Sequence, residues 1–254
     1  MDTNTSRVET TLFLLMSVDG KITSGESDNL DSDRDWKRIR GVREGLQQYY
    51  RHERNIAANS LNTGRVMAKI GLNTRPERPE KNEGLTFFIV DRKPHLNPNG
   101  VEYLAQWVGM LFVVTDNPGH PALDLRSRYK NIQVLFYKGG VDFSDLFVRI
   151  RQEFGIRHLV VESGGTLNTV LVRQGLIDHV CVSFNHRHCI SNSPGVFEAA
   201  PQSSVQFFQP PMSGCLILRV HVRRQKRACA VGRVLVIVPI LLCPEVERHC
   251  KLIG

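Results

Sequence analysis

Residues Gly155–Val180 read GIRHLVVESGGTLNTVLVRQGLIDHV. The run His158–Val161 (HLVV) is short, apolar and β-branched, which is the pattern of a buried strand. Glu162-Ser163-Gly164-Gly165-Thr166 follows directly as a turn, and Leu167, Val170, Leu171 and Leu176 then fit a helix that ends at Gly175. Asp178–Val182 opens the next strand. Two readings of the turn stand side by side. Glycines let a backbone approach a phosphate while the new helix aims its first N–H groups and its positive dipole end at the anion. Alternatively, the turn needs glycine only for its φ angles. Neither GxxxxGK[ST] nor GxGxxG occurs, so spacing alone leaves both open.

Working outward, the same alternation recurs. Upstream lie a helix over Asp142–Phe154, with Phe143, Leu146, Phe147 and Ile150 on one face, and strands at Ile132–Tyr137, Gly109–Thr115 and Leu85–Val90. Gly155 is placed to end that helix. Arg75–Gly84 reads as a surface loop, and Ser60–Gly71 puts a Gly-Arg pair where a strand hands over to the next element. Trp36, Ile39, Val42 and Leu46 fall at helical spacing behind a cap at Asp31-Ser32-Asp33. Thr11–Met16 is a first buried strand, closed by a turn on Asp19 and Gly20. Strands alternating with helices predict an α/β sandwich around a largely parallel sheet.

Composition narrows the classes. With 254 residues and 41% hydrophobic side chains, the chain has enough apolar surface for a core without disulfide or metal staples, and wholesale disorder is excluded. The apolar runs Leu12–Met16 and Val234–Cys243 are far short of the roughly 18 residues a membrane span needs, and no positively charged leader precedes Leu12, so neither membrane nor secretory targeting is expected. The net charge of +8 proposes a nucleic-acid partner at first sight. Its distribution removes that proposal. Residues 1–178 hold 24 basic against 22 acidic side chains, whereas 179–254 hold 9 against 3, together with all six cysteines. The basic run His221–Arg227 has no interleaved aromatics, so a nucleic-acid partner is not expected. His186, His188, Cys189 and Cys181 match no zinc-ligand spacing, and no metal is expected. Cysteines without a secretion signal fit a reducing, cytoplasmic location.

A resemblance adds to these readings. MSVDGKIT (Met16–Thr23) resembles the SLDGKIA-like signature of the reductase domain in bifunctional riboflavin-biosynthesis deaminase/reductases, of the dihydrofolate-reductase-like superfamily. Ser24-Gly25-Glu26-Ser27 is similar to that family's SGES-type loop, Asp33–Arg40 to its first helix, and Asn62-Thr63-Gly64-Arg65 to its GRxT turn. Ile89–Arg92 resembles the strand ending in Asp, and Gly155–Val180 the block GIRxLLVEGGxTLxxxLLxxGLVDE. The resemblance covers about 1–182 and implies a three-layer α/β sandwich with a mixed, mostly parallel central sheet. It further implies NADPH as cofactor, with Gly64, Arg65, Gly164, Gly165, Thr166, Leu167 and Asn168 around it. Ser27, Arg40 and Glu162 fall where the family meets its substrate, a ribosylamino-pyrimidinone phosphate, and an Arg fork suits the 5′-phosphate. Glu162, and behind it Asp19, are the candidates for catalytic work; a homodimer is the implied assembly.

Three departures stand out. Met67 occupies the Thr position of GRxT, and Lys69-Ile70-Gly71 replaces acidic residues of the pattern. The zinc-binding deaminase half has no counterpart, so a stand-alone reductase is expected. After Val182 the expected VAPxLLGG-like strand gives way to Ser183–Cys189, and 183–254 reads as an atypical basic, Cys-rich tail, either unrelated or frame-altered. A non-catalytic nucleotide-binding relative is therefore the alternative to an active reductase.

Overall fold

The computed structural model describes residues 6–17, 22, 49–51, 53–185, 205–207, 215–220 and 236–239. Strands β1 (Glu9–Ser17), β2 (Asn59–Thr63), β3 (Asn82–Val90), β4 (Val108–Thr115), β5 (Ile132–Phe136), β6 (His158–Val161) and β7 (His179–Asn185) form one sheet in the order β5-β4-β3-β2-β6-β1-β7. Every pairing in it is parallel. Helices α1 (Gly64–Lys69), α2 (Pro98–Trp107), α3 (Ala122–Leu125), α4 (Phe143–Gln152) and α5 (Gly165–Arg173) connect the strands. In the tail, β8 (Val205–Phe207), β9 (Cys215–Val220) and β10 (Val236–Pro239) make a second, antiparallel sheet. The expected α/β sandwich is what forms, with antiparallel pairing confined to that smaller sheet among the described residues.

Both faces of the parallel sheet are buried, which is why its strands read as continuous apolar runs rather than as alternations. The period of two splits each run. Phe88 and Val90 of β3, with Phe112 and Val114 of β4, join a core completed by Phe143, Leu146, Phe147 and Ile150 of α4 and Leu171 of α5. Phe87 and Ile89, with Leu111 and Val113, face the opposite core under Met67 of α1 and Val101 and Leu104 of α2. A third cluster, Phe13, Ala57, Val160 and Cys181, is covered by the helical residues 49–51 and 53–56, where Tyr49 stacks on Phe13 at 4.9 Å. The result is helix, sheet, helix in three layers.

The boundaries largely follow the sequence. Gly155 (φ 69°) and Gly175 (φ 67°) take left-handed conformations just beyond α4 and α5, where a side chain would be strained. β3 starts at Asn82, inside the stretch expected to be loop. β7 runs on to Asn185, past the expected boundary at 182. The sequence reading assigned no element to the stretch where α2 forms, and Asn97-Pro98-Asn99-Gly100 shares its residue types with an open turn. Asn97 is instead the N-cap of α2, accepting from the Gly100 N–H at 2.9 Å, with Pro98 at the first helical position. The helix expected around Trp36 lies outside the described residues.

Candidate functional site

The carboxyl ends of β1, β2, β3 and β6 open onto a cleft of about 1360 Å³. Chain connectivity explains its place. β2 continues through α1 to β3 on one side, whereas β6, its other neighbour, continues through α5 to β7 on the far side of β1. Two crossovers that leave in opposite directions part the loops above the sheet, and ligands of open α/β sheets sit at such switch points.

The β6–α5 turn forms one wall. Glu162 closes β6, its N–H donating to the Leu61 carbonyl at 2.9 Å and its Oε2 accepting from Ser60 Oγ at 3.0 Å. That pair fixes the carboxylate to the neighbouring strand at the cleft floor. Ser163 and Asn168 are both buried and bonded to each other: Ser163 Oγ to Asn168 Oδ1 at 2.6 Å, and Asn168 Nδ2 to the Ser163 carbonyl at 3.1 Å. Gly164 is the N-cap of α5 without a side-chain cap bond, so the first turn of this helix opens directly to the cleft.

The surroundings of Gly164 bear on both readings of the turn. Its backbone lies at φ −77°, ψ 167°, an extended conformation that any residue adopts. A Cβ built there would meet nothing within 4 Å. Neither a left-handed backbone nor packing asks for glycine at this position, and glycine also suits an N-cap. A side chain there would take up space in the cleft in front of the first turn of the helix.

The β2–α1 turn forms the opposite wall. Thr63 caps α1, its hydroxyl accepting from the Val66 N–H at 3.3 Å, and Asn62 Oδ1 accepts from the Thr63 N–H at 2.8 Å. Here glycine is required by packing, because a Cβ at Gly64 would run into the Asp91 carboxylate. Arg65 is exposed and lines the cleft, as does Lys69. Met67 is 4% exposed and packs into the core beneath α1.

Asp91, at the end of β3, has a fully buried side chain. It accepts from the N–H groups of His95 and Leu96 at 3.1 Å, from His95 Nδ1 at 2.9 Å and from His120 Nε2 at 3.2 Å. The Ala122 N–H donates to His120 Nδ1 at 3.1 Å, so the proton of that ring sits on Nε2, facing Asp91. Burial pushes the Asp91 carboxyl up, and the bonds from His120, His95 and the two backbone N–H groups outweigh it, leaving the group below its ordinary value. Beside it, Arg92 reaches Asp116 through Nε at 2.9 Å and Nη2 at 2.7 Å, and this pair holds the Asp116 carboxyl low.

Of the residues proposed from sequence, the fold gathers Arg65, Glu162, Gly164, Gly165, Thr166 and Leu167 around one cleft. Gly64 is underneath, seated on Asp91. Asn168 supports the turn from within rather than lining the cleft. Asp19, Ser27 and Arg40 lie outside the described residues. The Asp91–His95–His120 cluster was not foreseen: Asp91 read only as the end of a strand, and nothing in the sequence ties it to His120, 29 positions on.

Among the described residues no helix is long and apolar enough to cross a membrane. Solved structures with the same fold include Acinetobacter baumannii RibD (form 2: 19% identity, TM-score 0.54, covering 81% of this chain and 55% of that one; form 1: 18%, 0.57, with the same coverage). They also include the Saccharomyces cerevisiae riboflavin biosynthesis reductase Rib7 (15%, 0.53, covering 82% of this chain and 85% of that one). A diaminohydroxyphosphoribosylaminopyrimidine deaminase/5-amino-6-(5-phosphoribosylamino)uracil reductase from Thermotoga maritima is similar at 16% identity and TM-score 0.53, covering 85% of this chain and 56% of that one. At such identities the likeness is one of fold, and this chain spans only about half the length of the Acinetobacter and Thermotoga proteins. No curated protein sequence matches the chain significantly. Residues 9–185, running from the first strand of the sheet to the last, match the RibD C-terminal domain, and the chain therefore belongs to that family.

Proposed function

We propose that the chain is an NADPH-dependent reductase that delivers hydride to C1′ of a ribosylamino-pyrimidinone phosphate or a related pyrimidine or pterin-like molecule. The single observation that carries this is Gly164: an unforced glycine whose missing side chain leaves room in front of the first turn of α5. The residues fit a dinucleotide. Gly164 and Gly165 would receive the phosphates on backbone N–H groups, with Arg65 on the opposite wall as a cationic partner. When bound, NADPH supplies the hydride, which is chemistry no side chain here provides.

The chain's own part is alignment and exclusion of water. Glu162, held by Ser60, accepts from amino groups of the pyrimidine and fixes the ring against the cofactor wall. Ser27 and Arg40 keep the substrate-binding roles the resemblance gives them, and Asp19 stands second to Glu162 for proton transfer. The catalytic unit ends with β7 at Asn185, with the residues after it as an appended tail, and the working assembly is a homodimer, which light scattering measures directly.

Titration with NADPH, followed by cofactor fluorescence, tests the reading. Saturable binding below millimolar cofactor is expected, and its absence refutes the assignment. Glu162→Gln is expected to lower turnover while cofactor affinity holds; unchanged turnover removes Glu162 from the mechanism. A second reading, a nucleotide-binding relative without catalysis, is favoured by one pair of observations. Met67 is buried in the core where the family pattern has a hydroxyl, and Lys69 lines the cleft where the pattern is acidic. It predicts NADPH binding without turnover of any pyrimidine substrate.

A further inference from the structure

We propose that Asp91 is the positioning residue of one rim of the cleft: it locks the Gly64–Arg65 turn to the 92–97 loop without touching a ligand itself. The proposal rests on the nucleotide-binding reading above. A buried carboxylate is costly unless its lone pairs are taken, and here four N–H donors take them. Three of the four come from His95 and Leu96, so the carboxylate dictates the path of the loop that follows β3. The fourth comes from His120, whose proton is fixed on Nε2 by the Ala122 N–H. The same carboxylate is the seat of Gly64, packed so closely that even a methyl group is excluded.

One charged group thus sets the spacing between the start of α1 and the loop, and each carries residues that line the cleft: Arg65 on one, Arg92 and His95 on the other. A second tie repeats the connection beyond the far end of α1. Asn73 donates from Nδ2 to the His95 carbonyl at 2.7 Å and accepts from the Asn97 N–H at 3.0 Å. The His95 ring, bonded to Asp91 through Nδ1 and 38% exposed, is held in one orientation at the cleft edge.

Asp91→Asn keeps the size of the side chain but turns one acceptor into a donor facing other donors. NADPH affinity is expected to fall at least tenfold in this variant, measured at a temperature where circular dichroism shows it folded. Asp178→Asn is the control for mere destabilisation. Asp178 is a carboxylate with several donors at the amino-terminal end of the sheet, away from the cleft. That variant is expected to lower Tm while affinity stays within twofold of wild type. His95→Ala, at a partly exposed position, keeps the test open should Asp91→Asn not fold, and is expected to weaken NADPH at least threefold. In 15N spectra of the wild type, the His95 and His120 ring signals are expected to shift on NADPH addition. Wild-type binding with unchanged affinity in folded Asp91→Asn, or in His95→Ala, overturns this proposal alone. Absence of binding in the wild type overturns the cofactor reading and this one with it.

Discussion

Gly164→Val isolates the cofactor contact from the fold. The site is extended backbone, in which a β-branched residue is at ease, and the new Cβ finds no atom within 4 Å. Two small terms act on stability. Losing glycine from the unfolded chain stabilises by about 0.4–1 kcal/mol. Losing it from an N-cap, where glycine is preferred to valine, costs roughly 0.5–1 kcal/mol. The net is close to zero, and Tm is expected to move by no more than about 2–4 °C. Binding responds differently. Two Cγ methyls would occupy the space a phosphate needs to reach the first turn of α5, and charge-assisted hydrogen bonds are lost there. At roughly 1.5–3 kcal/mol each, two such bonds are worth about 3–6 kcal/mol. With tenfold in affinity per about 1.4 kcal/mol, the dissociation constant rises at least about a hundredfold. Thermal denaturation and fluorescence titration of wild type and variant measure both quantities. A stably folded Gly164→Val protein that binds NADPH within threefold of wild type refutes the phosphate-turn assignment.

Three further outcomes follow from the packing and electrostatics. Phe112→Ala removes a ring 3% exposed that stacks on Phe88 at 4.5 Å and meets Phe154 at 4.4 Å, and is expected to cost about 3–5 kcal/mol in denaturant unfolding. Burial raises the Asp178 carboxyl, but the bonds from Arg7 and Thr10 prevail and hold it low in the fold. Its stabilisation is therefore complete above the unfolded value of about 3.9 and is lost as the pH falls through the folded one, so Asp178→Asn should flatten the acid limb of the stability profile. Burial pushes the Cys181 thiol up to about 11, so at pH 8 it is expected to resist alkylation in the native protein and to react on unfolding, as peptide mapping by mass spectrometry would show.

How much of this was legible in the chain differs from element to element. β4, β6 and α4 were readable because each rests on local signals: an uninterrupted apolar run for a strand buried on both faces, and apolar residues at helical spacing behind the Asp142 cap, which accepts from Ser144 and Asp145. α2 was not, because a helix start and an open turn share Asn, Pro and Gly, and only the core side chains Val101 and Leu104 tell them apart. The candidate site divides in the same way. The glycine turn after β6 announced itself, since strand, turn and helix are contiguous in sequence.

By itself, then, the sequence determined the parallel α/β architecture, the glycine turn and the family block from Gly155 to Val180, all written in neighbouring residues. Tertiary structure decided the rest. Gly164 and Gly64 look alike as letters, yet one faces open space and the other rests on a carboxylate, because β2 lies against β3 and β6 at the centre of the sheet. Asp91, His95 and His120 became one cluster only when the ends of β3 and β4 came side by side. The cost of burying a charge depends on which donors reach it in space, and the order of residues along the chain does not state that distance.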